Sequence, residues 1–239
     1  MMNSVQSIQE TNSKPLSFVY LASQSPRRAQ LLEQIGIEHK LLLPQSDLEL
    51  QGLEILEEIS SGESPKDYVT RVTQLKLDAA LIRLQKFQNS QLLESNGSAQ
   101  TLYQWAPVLC ADTTVALDGR ILGKPQSQLQ AKEMLTLLSG RVHQVLTAVA
   151  IGLPAQTLQA PSSTVAALSV SLVEFAALSP NQIESYVLSG ESKGKAGAYA
   201  VQGRAAGFIK KIEGSYSGIM GLPLFEVTQL LTQLGCLNV

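Results

Sequence analysis

Apolar positions along this chain repeat with two different periods, and the points where the period changes mark the elements. Phe18 to Ala22 is a short apolar run that stops at a polar turn, after which Ala29, Leu31, Leu32 and Ile35 recur at helical spacing. This reads as strand, turn, helix. Ser25 stands where an N-cap belongs, and Pro26 suits the first helical position, where its missing N–H would have had no partner. Gly36 closes the helix in the left-handed conformation. His39 to Leu43 reads as a second strand. The segment from Asp47 to Asp67 then carries seven acids (Asp47, Glu49, Glu54, Glu57, Glu58, Glu63, Asp67) against one base, Lys66, and reads mostly as a solvated face or loop.

Ser64, Pro65 and Asp67 form a strong helix start, and the spacing predicts a helix to about Leu84 with an inward stripe of Val69, Val72, Lys76 and Ala79 or Ala80. Lys76 on that stripe either snorkels to the edge or reaches into a cleft. Gln85 to Gln104 is polar and weakly patterned, as in an inserted surface loop. Pro107 to Ala111 reads as a buried strand ending on Asp112, Thr113 and Thr114. A hairpin follows, Val115 to Leu117 and Arg120 to Leu122 around Asp118-Gly119, and it returns Gly123, Lys124 and Pro125 to the same end of the sheet.

Ser127 and Gly140 bracket a helix with Ala131, Met134, Leu135 and Leu138 inside. Arg141 to Ile151 and Val165 to Phe175 read as an antiparallel pair joined by a Pro- and Ser-containing turn. His143, on the first of these, has no nearby carboxylate or serine in sequence for a triad, so a structural role is the expectation. Ser179, Pro180 and Gln182 start a capped helix that ends at Gly190. Beyond it, Phe208 to Ile212 reads as a strand, Gly214 to Gly221 as a turn, and Leu222 to Leu234 as a closing helix.

Composition changes this picture little but excludes several classes. At 239 residues, 44% hydrophobic and with a formal charge of −2, the chain is long enough for a full core and shows no charge excess suited to nucleic acid. Cys110 and Cys236 are too few for a disulfide framework or a zinc cluster. The first 15 residues are polar and read as a loose tail. No run approaches a membrane span or a signal peptide, so a cytoplasmic location and no membrane partner are expected. A single domain over residues 16–237 accounts for the rest.

The candidate chemistry begins with Arg27 and Arg28, which fall in the first turn of a helix, where the macrodipole disfavours cations. An anion meeting them there would resolve the conflict. Ser23, Ser25, the two guanidinium forks and free helix-start N–H groups would make a phosphate cradle; an ordinary solvated helix start is the alternative. Asp112 lies just beyond a buried strand, where open α/β sheets place their chemistry, and a turn-forming role competes with that reading. Lys124 returns toward it, as a partner in a site or as a simple ion pair. Ser189 to Gly207 carries Gly190, Gly194, Gly197, Gly203 and Gly207 with Lys193 and Lys195, so its backbone can approach a ligand and Lys195 can meet negative charge. It matches neither the Walker pattern nor the dinucleotide fingerprint.

Four collinear stretches, LASQSPRRAQLL, CADTTV with a following GKP, LSGRVHQVLTAV, and GKAGAYAVQG with GSYSGIMGLPL, together resemble the Maf family of nucleoside triphosphate pyrophosphatases from about Val19 to Leu234. The resemblance implies a twisted mixed α/β sheet flanked by helices, with two lobes around a central cleft, in the Maf and ITPase-like manner. It also implies hydrolysis between the α and β phosphates with Mg²⁺ or Mn²⁺. Position by position it assigns Ser23, Arg27 and Arg28 to phosphate binding, Asp112 to catalysis, Lys76 and Lys124 to the same centre, and Gln202 to the substrate. The Ala-Asp-Thr triplet is similar to the dTTP/UTP subgroup, whereas a 7-methyl-GTP subgroup tends to Ser-Asp-Gln.

The family's glutamate after the second strand counts to Leu50, so Glu49 beside it is the candidate second metal ligand with Asp112. Asp112 would act on water directly or through the metal. A homodimer is the family's usual form. Two other readings share the cradle: a non-enzymatic nucleotide-binding regulator of cell division, and a metal-dependent phosphatase releasing single phosphate.

Overall fold

The computed structural model describes residues 18–94, 105–154 and 163–237. The tail expected over residues 1–15 lies outside them. The strands are β1 (Val19–Leu21), β2 (His39–Leu41), β3 (Val108–Leu117), β4 (Arg120–Leu122), β5 (Val142–Leu153), β6 (Ser163–Phe175) and β7 (Ile209–Glu213). The helices are α1 (Pro26–Gln34), α2 (Asp47–Leu56), α3 (Pro65–Glu94), α4 (Gln128–Leu138), α5 (Pro180–Leu188), α6 (Tyr216–Met220) and α7 (Leu224–Gln233). All the strands join one sheet in the order β2-β1-β3-β5-β6-β7, with β4 also on β3. β1 pairs parallel with β2 and β3, and every other pairing is antiparallel. The expected mixed α/β sheet flanked by helices is therefore observed.

β3 organises the layers, because its alternate residues face opposite sides of the sheet. Val108, Cys110 and Ala116 pack toward α3. Leu109 and Ala111 pack with α1 and α7, and further along Val115 and Leu117 pack with α4 and α5. The clusters around the two halves of the strand form two lobes, and the cleft lies between them. One edge of β3 is fully paired with β5 from Val108 to Ala116. On the other edge β1 reaches only Leu109 and β4 begins only at Val115. Cys110 to Thr114 are left without a strand neighbour on that side, among the described residues.

The capped helices form where the sequence places them. Ser127 and Ser179 accept from the third backbone N–H of their helices, Ser179 in a complete capping box. Gly36 takes a φ of +71° and closes α1.

Four segments differ from the sequence reading. The acidic stretch contains α2, capped by Ser46 and without a buried residue, so its apolar positions are too shallow to reveal a stripe. α3 continues through Glu94, ten residues into the stretch read as an inserted loop, because Leu84 and Phe87 dock on the cluster with Phe18 and Tyr20. Residues 95–104 lie outside the described ones. The strand read as ending at Ala111 runs unbroken to Leu117, since Asp112, Thr113 and Thr114 pair in register with Ala148, Thr147 and Leu146. The turn read over Gly214 to Gly221 contains α6, a single helical turn.

Cys110 and Cys236 are buried thiols, and burial pushes Cys110 up to about 12. No described helix is long and apolar enough to cross a membrane.

Candidate active site

The cleft between the lobes has a volume of about 900 Å³ and is lined by the start of α1, one face of α2, α3, five consecutive residues of β3 and the glycine-rich segment. Consecutive residues of a strand normally face alternate sides, so Ala111 to Thr114 reach one cavity because that edge of β3 is bare, and Val115 joins them where β4 begins. Asp112 sits in the middle of this gap, 8% exposed. It is thus inside a strand and not past its end, and the missing neighbour supplies the opening that a strand end would have given.

Asp112 points to the α3 face, where Lys76 Nζ donates to its Oδ1 at 2.7 Å and to Glu57 Oε1 at 2.6 Å. Lys76 therefore reaches into the cleft; of the two roles its stripe position allowed, snorkelling is excluded. Burial acts to lower the Lys76 ammonium, but Asp112 and Glu57 outweigh it and raise it above the ordinary lysine value. Glu57 Oε2 accepts from Lys124 Nζ at 2.9 Å. Burial acts to raise the Glu57 carboxyl, and the two lysines together hold it below the usual range. Asp112 and Lys124 are thus joined through Glu57 and Lys76, not by a direct pair.

Glu57 is the residue that sequence reasoning missed. It follows the last turn of α2, and its backbone is pinned from α3: Tyr68 Oη donates to the Glu57 carbonyl at 3.0 Å, and Arg71 donates to the Leu56 and Glu58 carbonyls at 3.2 and 2.9 Å. Among seven acids in that stretch, no local signal distinguishes it. Glu49, the candidate ligand, is engaged elsewhere. Its oxygens accept from buried Arg83 at 2.5 Å and from the Gln45 N–H at 3.0 Å. Leu50 lines the cleft as an apolar wall.

The opposite bank is built on α1. Ser25 is its N-cap by position, but its hydroxyl makes no capping bond. The Ser25 N–H goes to Ser23 Oγ at 3.2 Å and the Arg28 N–H to the Ser25 carbonyl at 3.1 Å, so fewer helix-start amides remain for an anion than the sequence implied. The arginines are placed by α6. Arg27 Nε donates to the Met220 carbonyl at 3.3 Å and Arg28 Nε to the Gly221 carbonyl at 2.8 Å. Two cations at the start of one helix are thus offset by the carbonyl end of another. Arg28 Nη1 also donates to Ser23 Oγ at 3.0 Å. Burial lowers both guanidinium groups, with Asp112 pulling Arg28 back toward its ordinary value.

The glycine-rich segment closes the third side. Its Gly197 N–H donates to the Gly123 carbonyl at 3.1 Å, tying it to the loop that carries Lys124. Gly197 has a φ of +63°, and a Cβ there would stand 2.9 Å from both methyls of Val115, so only glycine permits this approach. Lys195 is lowered by desolvation and by the facing charge of Arg27, which places two like charges across the cleft. Gln202 is exposed at the mouth, in a turn held by Glu191, whose carboxylate accepts from Tyr186 Oη at 2.8 Å and from the Arg204 N–H at 3.0 Å. His143 lies outside the site, packed edge-on against Phe175 and Tyr199 and bonded to Tyr199 Oη at 2.9 Å.

All of Ser23, Ser25, Arg27, Arg28, Lys76, Asp112, Lys124, Lys195 and Gln202 line one cleft, and Glu49 does not. A family model described as Maf-like protein matches residues 18–234. The chain belongs to the Maf family.

Among Maf relatives, a protein of Albidiferax ferrireducens named dTTP/UTP pyrophosphatase is 52% identical over 218 residues, covering 91% of this chain and 97% of that one. One of the same name from Nitrosomonas europaea is 48% identical over 217 residues, covering 91% and 94%. Of solved structures, a HAM1 protein from Coxiella burnetii aligns with a TM-score of 0.42 at 16% identity, over 91% of this chain and all of that one, which is too remote to bear on the chemistry.

A divalent ion fits the residues present in this Maf cleft only in one form. Among the described residues no three His, Cys, Asp or Glu side chains stand together, which is unlike a zinc site held wholly by protein. Asp112 and Glu57, converging on one ammonium, match a magnesium-type site that takes one or two carboxylates and completes its shell with water and substrate phosphate.

Proposed function

We propose that this Maf protein hydrolyses nucleoside triphosphates, dTTP and UTP foremost, to the monophosphate and pyrophosphate, with Asp112 aiming and activating the attacking water. The observation that carries this reading is the position of Asp112: a carboxylate fixed at the bare edge of a buried strand, among six cleft cations (Arg27, Arg28, Lys76, Arg83, Lys124 and Lys195), of which Arg83 is engaged by Glu49. A triphosphate brings about four negative charges, and its cleavage is catalysed chiefly by holding and neutralising them while a nucleophile is placed in line. Arg27 and Arg28, supported by the α6 carbonyls, hold phosphate oxygens from one bank, and Lys124 and Lys195 reach them from the other.

Lys76 orients the Asp112 carboxylate through the bond to Oδ1, leaving the second oxygen to accept a water proton. Asp112 and Glu57 would hold Mg²⁺ or Mn²⁺, which supplies charge neutralisation and a more acidic water when bound. Gln202, at the mouth, offers both a donor and an acceptor to the edge of a uracil-type base.

A cleft that only bound nucleotide would gain nothing from an acid beside the phosphates, which favours catalysis over the regulatory reading. The test measures the first product from dTTP, UTP and the other common nucleotides with Mg²⁺ or Mn²⁺. Pyrophosphate is expected, and orthophosphate as first product refutes the reading. Asp112→Asn is expected to lower kcat by about 10²–10⁴. An unchanged rate removes Asp112 from the mechanism.

A further inference from the structure

Thr147, on β5, lies directly across from Thr113 on β3. It is 1% exposed and does not line the cleft. Its hydroxyl carries one proton, and a backbone carbonyl can only accept, so the 2.7 Å bond to the Gly218 carbonyl uses that proton. The 2.9 Å bond to Thr113 must then run the other way, with Thr113 donating. The result is an ordered relay from β3 through β5 to α6.

α6 is a five-residue helix, far shorter than one that stands on its own propensity. Its start is held by Ser171 of β6, which accepts from the Ser215 N–H at 2.9 Å, while Ser215 Oγ accepts from the Gly218 N–H at 2.9 Å. Its end supplies the carbonyls of Met220 and Gly221 that hold Arg27 and Arg28. Gly221, at a φ of +120°, fits between Arg28 and Thr113, and a Cβ there would lie 3.6 Å from both Arg28 Nε and Thr113 Oγ1. The arginines therefore hang from a short helix whose place is set by hydroxyls of the sheet.

We propose that Thr147 is a positioning residue, whose hydroxyl registers α6, and through it Arg27 and Arg28, against the strand that carries Asp112. This rests on the reading of the arginine pair as a phosphate clamp. Asp112 and Thr113 are neighbours on β3 and face opposite sides of the sheet, so one strand fixes the carboxylate on one face and the arginine support on the other.

The test compares the full-length wild type with Thr147→Val and Thr147→Ser, using pyrophosphate binding by calorimetry alongside steady-state turnover of dTTP. Valine keeps the shape but has no proton to give, and it strands the Gly218 carbonyl, whereas serine restores both bonds. In Thr147→Val the Kd for pyrophosphate and the KM for dTTP are expected to rise about tenfold, the loss of roughly one buried hydrogen bond. The change in kcat is expected to be smaller, and Thr147→Ser to stay within about twofold of wild type. Valine binding pyrophosphate like wild type, or serine losing as much as valine, overturns the proposal.

If Thr147→Val does not fold, Thr147→Ala removes the same proton without crowding, and the contrast with serine decides in the same way. A wild type that binds pyrophosphate and shows this contrast, yet hydrolyses no triphosphate, refutes the proposed function and leaves the positioning role intact.

Discussion

Replacing Glu57 by glutamine keeps the shape of the side chain and removes the one charge that Lys76 and Lys124 share. At 2.6 Å from Lys76 the gross attraction is about 6 kcal/mol at an effective dielectric constant near 20. Desolvation cancels most of it, and a hydrogen bond between charged groups retains about 1.5–3 kcal/mol. The Lys124 pair, whose lysine is half exposed, adds less than about 1 kcal/mol. Glu57→Gln is therefore expected to lose about 2–3 kcal/mol at pH 7, a fall of roughly 5–10 °C in Tm for a chain of this size.

The pH dependence follows from the lowered Glu57 pKa. Its contribution is complete above the unfolded carboxylate value and disappears as pH falls through the folded value. The denaturation curves of wild type and Glu57→Gln should therefore separate at pH 7 and converge in acid. Turnover should respond oppositely to affinity. With one carboxylate fewer among six cations, dTTP should bind at least as tightly while kcat falls. Denaturant melts at several pH values and steady-state kinetics read both. Wild-type stability at pH 7 together with wild-type kcat refutes the assignment.

Three further outcomes are expected. Burial pushes His143 down to about 4, from an ordinary value of 6.5, so the unfolded chain binds the extra proton between those pH values and stability falls as pH drops across that window, by about 3 kcal/mol in total. Urea melts should show this slope, and His143→Phe should flatten it. Gly197→Ala forces a Cβ against Val115 at a φ of +63° and should cost about 2–4 kcal/mol in denaturant melts, with raised KM for dTTP because the Lys195 segment shifts. Arg28→Lys replaces a fork that bonds the Gly221 carbonyl and Ser23 Oγ at once, so the Kd for pyrophosphate should rise about tenfold with little change in Tm.

How much of this was legible depends on how far each determinant reaches along the chain. Ser127 and Ser179 announce their helices because a cap is written within four residues, and the pairing of β5 with β6 follows from alternation in each strand. The paired arginines were visible as an anomaly, but their cause, the carbonyl end of α6, lies 193 residues away. Lys76 is visible as a charge on an apolar stripe, and its direction is set by the bond to Asp112, 36 positions on. Glu57 carries no local mark, since what distinguishes it is its pairing with Lys76 and Lys124 from other elements. Asp112 reads from sequence as a strand-end acid because the sequence of β3 does not record that its neighbours stop at Leu109 and resume at Val115.

That interruption also works as a ruler. The two banks of the cleft are hung on the same strand, one through β1 and one through β4, so their separation is set by the six residue-to-residue steps from Leu109 to Val115 at roughly 3.3 Å each, about 20 Å. An inserted or deleted residue between Leu109 and Asp112 would do more than change the length. It would invert the faces beyond it, turning the carboxylate toward α6 and the threonine toward Lys76. The five positions of β3 between Leu109 and Val115 must therefore be counted.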